Sequence, residues 1–365
     1  MELFTVFFLP PVNGYNEINI LIRPEKKEVR GRKTMQTRPL GKADLHLTTI
    51  GLGTWAIGGP WDFGWGPQED TESIATIQQA LDLGINWIDT APAYGLGHAE
   101  EIVGRAIQGR RDRVIIATKC GLVWDDPKSR TVTNRLKAAS IRKEAEDSLR
   151  LLGIEVIDLY QIHWPEPQED IEEAWITIAN LIAQGKVRYG GVSNFSVSQI
   201  KRVQALHQVA SLQPPYSLLD RAVEVELLPY CKENGIGVVA YGPLAYGLLT
   251  GKYTRKGIEA LPKDDWRHRG ARFQEPELSA NLALIDKLRP IAERHGRSLG
   301  QLAIAWVLRR SEVTSAIVGA RRPSQLMENA QATDWVLPDE DLQAIDDLLA
   351  ERDTALAGYR PTGAS

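Results

Sequence analysis

Cysteine and metal-binding side chains are scarce in this sequence. Its 365 residues include two cysteines, Cys120 and Cys231, and six histidines. Two cysteines are too few for a disulfide framework, which favours a reducing compartment and predicts a cytoplasmic protein. The histidines include no pair at the spacing of metal ligands, so the sequence predicts no metal site.

Long hydrophobic runs and a surplus of basic residues are also missing. The sequence has no apolar stretch long enough to cross a membrane. Its formal net charge is −4, which offers no general attraction for nucleic acid. Because 43% of the residues are hydrophobic and 25% are charged, the composition is that of an ordinary globular protein. We expect neither a membrane nor a nucleic-acid partner.

The first 34 residues do not share the pattern of the rest. An apolar run at residues 3–9 lacks preceding basic residues and is interrupted by Pro10 and Pro11, which argues against a secretory signal. A strand or a docking arm is the structural alternative. We interpret residues 1–34 as a non-native or disordered extension and expect the native chain to start at Met35, with one domain over residues 35–365.

Strand and helix patterns alternate from Met35 onward. A hairpin at residues 38–48 precedes a first strand at residues 49–55, and the alternation continues to an eighth strand at residues 315–319. Right-handed crossovers between parallel strands close as a (β/α)8 TIM barrel, here with an N-terminal hairpin cap and extra C-terminal helices. Ser140 is expected to cap one of the helices, and the long polar segment at residues 245–276 to cover a cofactor or substrate.

A glycine-rich segment in the first strand resembles a second kind of fold. Gly51, Gly53 and Ala56 satisfy the relaxed G-x-G-x-x-G/A fingerprint of dinucleotide-binding Rossmann domains. That fingerprint requires a helix to open directly. Gly58 and Pro60 follow instead, so the Rossmann interpretation is not favoured.

Three successive predicted strands each end in an ionisable residue. Asp89 ends the first and is followed by Tyr94 in a turn, Lys119 ends the second, and His163 ends the third. Period two places Asp89 on the same face as Trp87. In a parallel barrel the carboxyl ends of the strands form one mouth, so these four side chains should converge there.

These four residue types suit proton transfer to a carbonyl oxygen. A tyrosine that gives up its proton near neutral pH needs a positive neighbour, and Lys119 is the candidate. Asp89 would hold Lys119 charged, and His163 would hydrogen-bond the oxygen on which charge develops. Since no side chain donates hydride, a nicotinamide cofactor is implied.

Five segments carry a resemblance to a known family. WIDTAPAYG, ATKCG, DLYQIHWP, YGGVSNF and IVGARRPSQLMEN resemble, in this order, the signature segments of the aldo-keto reductases, and the resemblance runs from residue 35 to about residue 349. The chain looks closest to the bacterial branch that also resembles the potassium-channel beta subunits. The resemblance implies a barrel that reduces aldehydes and ketones with NADPH, using an Asp, Tyr, Lys and His tetrad at Asp89, Tyr94, Lys119 and His163.

The resemblance also implies where NADP(H) binds. Ser193, Asn194 and Gln213 match residues that hold the nicotinamide carboxamide, and Tyr241 matches the aromatic residue that stacks on the ring. The remaining cofactor-binding positions are Thr54, Trp55, Asp89, Gly242, Pro243, Leu244, Gly319, Arg321, Gln325, Glu328 and Asn329.

Two arginines follow the predicted eighth strand. Arg321, with Arg322 in support, is expected to bind the extra phosphate of NADP(H), because a guanidinium can hold phosphate through two hydrogen bonds. A solvated basic turn is the alternative. Four tryptophans near the predicted mouth could line a substrate pocket: Trp61, Trp65, Trp124 and Trp164.

Two other functions compete with a reductase acting on a small-molecule carbonyl substrate. One is a cofactor-bearing regulatory or scaffold protein, which is the role of the channel beta subunits. The presence of all four tetrad residues argues against a catalytically inactive scaffold. The other is a metal-dependent barrel hydrolase, which the lack of ligand spacing disfavours.

Overall fold

The computed structural model describes residues 35–126, 128 and 131–358, so the interpretation of residues 1–34 lies outside the described residues. The strands in chain order are β1 (Thr37–Pro39), β2 (His46–Thr48), β3 (Ile50–Gly53), β4 (Trp87–Asp89), β5 (Ile115–Cys120), β6 (Leu122–Val123), β7 (Thr133–Asn134), β8 (Ile157–Ile162), β9 (Val187–Ser193), β10 (Ser211–Gln213), β11 (Gly237–Tyr241) and β12 (Val313–Gly319). The α-helices are α1 (Asp70–Leu83), α2 (His98–Ala106), α3 (Ala138–Leu152), α4 (Ile171–Ala183), α5 (Val197–Gln204), α6 (Leu227–Asn234), α7 (Arg255–Glu259), α8 (Glu277–Glu293), α9 (Leu299–Leu308), α10 (Pro323–Ala330) and α11 (Asp339–Ala357).

Eight of these strands close into one barrel. Their order around it is β3, β4, β5, β8, β9, β10, β11 and β12, with β12 pairing back to β3. Every neighbouring pair is parallel. Helices connect successive strands, and α10 and α11 follow the last strand. The predicted TIM barrel with additional C-terminal helices is confirmed, and the carboxyl ends of all eight strands face one mouth.

The β1–β2 hairpin lies at the opposite, amino-terminal end of the barrel. The Arg38 guanidinium donates to the carbonyl oxygens of Val313 at 2.6 Å and Leu308 at 3.0 Å, which ties the hairpin to the region where α9 leads into β12. An apolar cluster fills the interior next to it: Leu40, Leu45, Leu47, Trp87, Ala117, Leu159, Val239 and Ile317. We call this cluster the floor of the barrel.

The glycines of the apparent dinucleotide fingerprint serve packing within the barrel. A Cβ atom on Gly51 would lie 2.0 Å from the indole of Trp87, and one on Gly53 would lie 2.7 Å from Ile317. A short 3-10 helix follows β3, and the next α-helix begins only at Asp70. The two glycines therefore make room for large side chains of the neighbouring strands.

Ser140 does not cap α3, contrary to expectation. The helix begins at Ala138, and Lys137 occupies the N-cap position. The Ser140 hydroxyl donates instead to Glu144 at 2.8 Å, and the same carboxylate accepts from the backbone N–H of Gly121 at 2.7 Å. The hydroxyl thus meets a buried carboxylate inside the helix, which the local sequence pattern did not reveal.

The segment at residues 245–276 is more ordered than a plain loop. It contains α7 and three 3-10 helices, Leu248–Thr250, Trp266–Arg269 and Ala271–Phe273. Trp266 lies 5.4 Å from Trp55 and 5.1 Å from Tyr246 between ring centroids. Trp55, in the 3-10 helix after β3, also lies 5.6 Å from Tyr246, so Trp55 packs against the segment through both rings. In the part of the chain that the structure describes, no helix is long and apolar enough to cross a membrane.

Candidate active site

Lys119 is the centre of a buried polar cluster at the mouth of the barrel. Its Nζ atom donates to Asp89 Oδ1 at 2.6 Å, to the Thr90 carbonyl at 3.0 Å and to Tyr94 Oη at 3.2 Å. An ammonium group has three N–H donors, so these bonds use all of them. Lys119 is fully buried and Asp89 nearly so. The strands β4 and β5 deliver the ion pair, and the turn after β4 delivers the phenol.

The cluster compensates the buried charges. Burial would lower the pKa of Lys119, but the adjacent Asp89 carboxylate and the Tyr94 phenol together outweigh burial, and the pKa is raised above the usual 10.5. Asp89 Oδ2 accepts from Gln213 Nε2 at 2.8 Å and from Gln161 Nε2 at 3.5 Å. Both carboxylate oxygens therefore have donors, and Lys119 remains an ammonium near neutral pH.

Burial and the Lys119 charge shift the pKa of Tyr94 in opposite directions. Burial raises the pKa of its phenol above 10, and the Lys119 ammonium only partly opposes this effect. Lys119 acts in the expected direction, since its charge lowers the pKa of the phenol, but loss of hydration is the larger effect. Tyr94 is therefore protonated. Because Oη accepts from Lys119, its own O–H can be directed into the cavity.

His163 lies beside the phenol. Its ring centroid is 6.0 Å from that of Tyr94, and the rings meet edge to face at 81°. Burial, together with the nearby Lys119 charge, lowers the pKa of His163 well below 6.5. A neutral imidazole offers one N–H donor, so His163 can hydrogen-bond an oxygen placed next to Tyr94 without bringing a second positive charge.

Asn194 joins several of the loops at the mouth. Its Nδ2 donates to the His163 carbonyl and to Ser193 Oγ, each at 3.0 Å, and its Oδ1 accepts from Tyr241 Oη at 2.9 Å. Its backbone φ of 63° lies in the left-handed region, where asparagine is tolerated better than most residues. Such strain often accompanies functional sites, and no sequence pattern pointed to it.

A cavity of about 780 Å³ opens above this cluster. Most of the predicted cofactor-binding residues line it: Trp55, Asp89, Ser193, Asn194, Gln213, Tyr241, Gly242, Pro243, Leu244, Gly319, Arg321, Gln325, Glu328 and Asn329. Thr54 does not; it is buried beneath, and its hydroxyl donates to the Asp89 carbonyl at 3.1 Å. Lys119 is also absent from the lining, so it acts on the cavity through Tyr94.

The chemistry of this lining fits a nicotinamide dinucleotide. Amide and hydroxyl groups of Ser193, Asn194 and Gln213 surround the position next to Asp89, where a carboxamide needs both donors and acceptors. Arg321, in the loop after β12, brings a guanidinium to the same cavity, and a phosphate group of the dinucleotide would need such a cation.

The two arginines after β12 have different surroundings. Arg321 lines the cavity, its Nε donates to Gln68 Oε1 at 2.7 Å, and its carbonyl accepts from Gln68 Nε2 at 3.0 Å. Its Nη2 also donates to the Pro67 carbonyl. Arg322 lies outside the lining and is paired with Glu72 at 3.5 Å. Arg321 is therefore the arginine that a ligand in the cavity would meet.

The sequence analysis did not identify several residues that line the cavity or hydrogen-bond to Asp89. Gln161 is fully buried two residues after Leu159, on the inward face of β8, and the period-two rule could have identified it. Asn134 and Glu166 line the outer cavity and could not be identified, because a side hairpin brings them together. Of the four tryptophans, Trp61, Trp65 and Trp164 line the cavity and Trp124 does not.

Neither metal ligands nor reactive thiols belong to this site in the part of the chain that the structure describes. No group of three or more His, Cys, Asp or Glu side chains among the described residues could hold a metal ion. Cys120 and Cys231 are buried and unpaired, and burial raises the pKa of both thiols.

Comparisons with known proteins agree with this arrangement. The model of the aldo/keto reductase family matches residues 49–350. Aldo-keto reductase YhdN of Bacillus subtilis is 42% identical over 318 residues, covering 86% of this chain and 94% of that protein. The NADH-specific methylglyoxal reductase of Escherichia coli is 38% identical over 322 residues, covering 84% and 96%. The structure of the glycerol dehydrogenase AKR11B4 from Gluconobacter oxydans superimposes with a TM-score of 0.80 at 42% identity, covering 90% of this chain and 98% of that one.

Proposed function

Since this chain belongs to the aldo/keto reductase family, we propose that it reduces an aldehyde or ketone with NADPH and that Tyr94 protonates the carbonyl oxygen. The observation that carries the proposal is the hydrogen bond from Lys119 Nζ to Tyr94 Oη at 3.2 Å, directly beneath a cavity that Tyr94 lines. The dinucleotide, when bound, would supply the hydride that no side chain can provide.

Each residue of the tetrad has a separate task. Tyr94 gives its proton to the carbonyl oxygen, and the Lys119 ammonium stabilises the phenolate that remains. Asp89 keeps Lys119 charged and fixed at 2.6 Å. The neutral His163 donates its N–H to the same oxygen and polarises the carbonyl. The proton thus leaves Tyr94 while negative charge grows on the substrate oxygen.

Tyr94→Phe tests this assignment, because it removes the hydroxyl and keeps the ring. We expect kcat to fall on the order of 10²-fold or more, the scale of general acid catalysis, with little change in cofactor affinity. Tyr189→Phe is the matched control: its phenol donates to Asp44 far from the mouth. Near-normal reduction by Tyr94→Phe would contradict the proposal.

Arg321 would carry the preference for NADPH over NADH. The two cofactors differ by one phosphate on the adenosine ribose, and a charge-assisted contact contributes roughly 1.5–3 kcal/mol. Arg321→Ala should therefore weaken NADPH binding by about 10- to 150-fold and leave NADH binding nearly unchanged. Arg322→Ala, outside the cavity lining, is the control.

Titration calorimetry with both cofactors measures this preference. The Escherichia coli relative is named NADH-specific, so the unmodified protein must be measured first. A preference for NADH in that protein, or equal losses for both cofactors in Arg321→Ala, would refute the role of Arg321.

A further inference from the structure

The cavity has two halves that meet at Tyr94. The loops after β11 and β12 form the half that contains Arg321. The other half is formed by the loop after β3, the β6–β7 hairpin and the loop after β8, and its lining includes Trp61, Phe63, Leu122, Val132 and Trp164. If the first half holds the dinucleotide, the second receives the carbonyl compound.

Aromatic rings extend from the catalytic phenol to solvent in this second half. Trp61 lies 6.3 Å from Tyr94 and 5.7 Å from Phe63 between ring centroids. Phe63 is 47% exposed and Trp164 is 39% exposed. Large apolar side chains left open to water beside a catalytic group are typical of a binding surface.

Charge is divided unevenly between the two halves. Among the lining residues that the structure describes, the cations are Lys252 and Arg321, and both belong to the loops after β11 and β12. The first half also contains the carboxylate of Glu328, 3.9 Å from Lys252, so its balance is one positive charge, whereas the second half contributes the carboxylate of Glu166, which follows β8. Glu166 is exposed, and its Oε2 accepts from Asn134 Nδ2 on β7 at 3.0 Å. The neutral amide fixes this carboxylate at the rim without neutralising its charge.

We propose that Glu166 is a specificity-determining residue that makes the second half selective for uncharged carbonyl compounds over those carrying phosphate or carboxylate groups. This inference rests on the proposed reductase function. A substrate anion that enters beside Glu166 meets a negative charge held at the rim, and the two like charges repel each other at short range even though water and salt weaken the repulsion. An uncharged aldehyde carries no charge for Glu166 to repel and can lie against the apolar and aromatic side chains of this half.

D-Glyceraldehyde and D-glyceraldehyde 3-phosphate provide a matched pair of probes, because they share the carbonyl group and differ by one phosphate. We expect kcat/KM of the unmodified protein to be higher for glyceraldehyde. Glu166→Gln keeps the size of the side chain and removes its charge. It should raise kcat/KM for the phosphate by about 3- to 10-fold and leave kcat/KM for glyceraldehyde nearly unchanged.

Two controls make the result specific. Glu169→Gln removes an exposed carboxylate three positions further along the chain that does not line the cavity, and it should leave the ratio of the two kcat/KM values unchanged. Raising the salt concentration should reduce the discrimination in the unmodified protein and have less effect in Glu166→Gln, because salt screens an exposed charge.

The outcomes separate this inference from the proposed function. Turnover of neither compound would refute the reductase function itself. Turnover of glyceraldehyde with equal or better use of the phosphate, or a ratio that Glu166→Gln does not change, would leave the reductase intact and overturn the role of Glu166.

Discussion

The floor and the mouth of the barrel are built from the same strands but differ in chemistry. On three strands a single step of two residues, on one face, separates an apolar floor residue from a polar mouth residue. The pairs are Trp87 and Asp89, Ala117 and Lys119, and Leu159 and Gln161. Both members of each pair lie within the same β-strand, so the difference within a pair comes from the side chains.

This difference shows how the barrel divides stability from function. At the floor, the hairpin covers apolar side chains, and their burial stabilises the fold directly. At the mouth, burial of Asp89 and Lys119 costs hydration free energy, which their mutual contact and the amides of Gln161 and Gln213 offset. We therefore expect floor variants to lose stability and mouth variants to lose activity for reasons that can be separated.

The largest expected effect is that of Lys119→Met. It should reduce kcat on the order of 10²-fold or more and also destabilise the fold by about 3–5 kcal/mol, because Asp89 stays buried without its cation. The double variant Asp89→Leu with Lys119→Met should recover most of that stability and none of the activity. Urea unfolding and steady-state kinetics measure the two effects. A double variant no more stable than Lys119→Met would show that the ion pair is not the cause.

A floor variant should show the reverse pattern. Leu47 is 1% exposed in the floor, and Leu47→Ala should cost about 2–5 kcal/mol of unfolding free energy through lost burial and a cavity. Its kcat should fall much less than that of Lys119→Met. Leu206→Ala is the matched control, since Leu206 is 48% exposed and should change stability little. A loss of activity in Leu47→Ala without a loss of stability would contradict the view that the floor serves stability and the mouth serves activity.

Behind the mouth, Glu100 should make stability depend on pH. It is fully buried on α2 and accepts from Thr118 Oγ1 at 2.6 Å; burial raises its pKa from 4.5 to about 7. A raised folded-state pKa means that the native protein binds the proton more tightly. Its contribution to stability is therefore fully present below pH 4.5 and is lost as the pH rises through about 7.

Glu100→Gln should remove that dependence. At pH 8 the variant should be more stable than the unmodified protein by roughly 1–3 kcal/mol, because no charge is then buried. Glu101→Gln, an exposed neighbour on the same helix, is the control. Urea unfolding at pH 5 and pH 8 provides the comparison. A Glu100→Gln protein that is less stable than the unmodified one at pH 8 would refute the assignment.

The smallest expected effect concerns His163, whose ring should not change its protonation near neutral pH. Because the pKa of His163 lies well below 6.5, its ring should stay neutral between about pH 6 and 8, and nitrogen chemical shifts in NMR should show no change of protonation there. As the pH falls below 6.5, the unfolded chain takes up a proton that the native ring does not, so this residue makes the fold less stable in acid. A midpoint near 6.5 would show that His163 is not neutral at the mouth.

Sequence patterns predicted correctly those features that depend on residues close together within one helix or strand. The alternation of strands and helices predicted the barrel, and period two placed Trp87 and Asp89 on one inward face. The predicted helix cap at Ser140 was wrong, because the Ser140 hydroxyl donates its hydrogen bond to a carboxylate one helical turn later. For Tyr94, the sequence identified the ammonium that lowers the pKa of the phenol but gave no measure of the burial that raises it.

The sequence by itself determined the order of the elements, the side chains at the ends of the strands and therefore the family to which the chain belongs. Periodicity and local residue types act over a few residues, so they can be read along the chain. Only the tertiary structure decided that Gln161 and Gln213 both reach Asp89, that Asn194 bridges neighbouring loops in a left-handed conformation, and that Glu166 meets Asn134 at the rim. Those contacts join residues far apart in sequence, and burial, which sets the protonation of Tyr94 and His163, exists only once the barrel has closed.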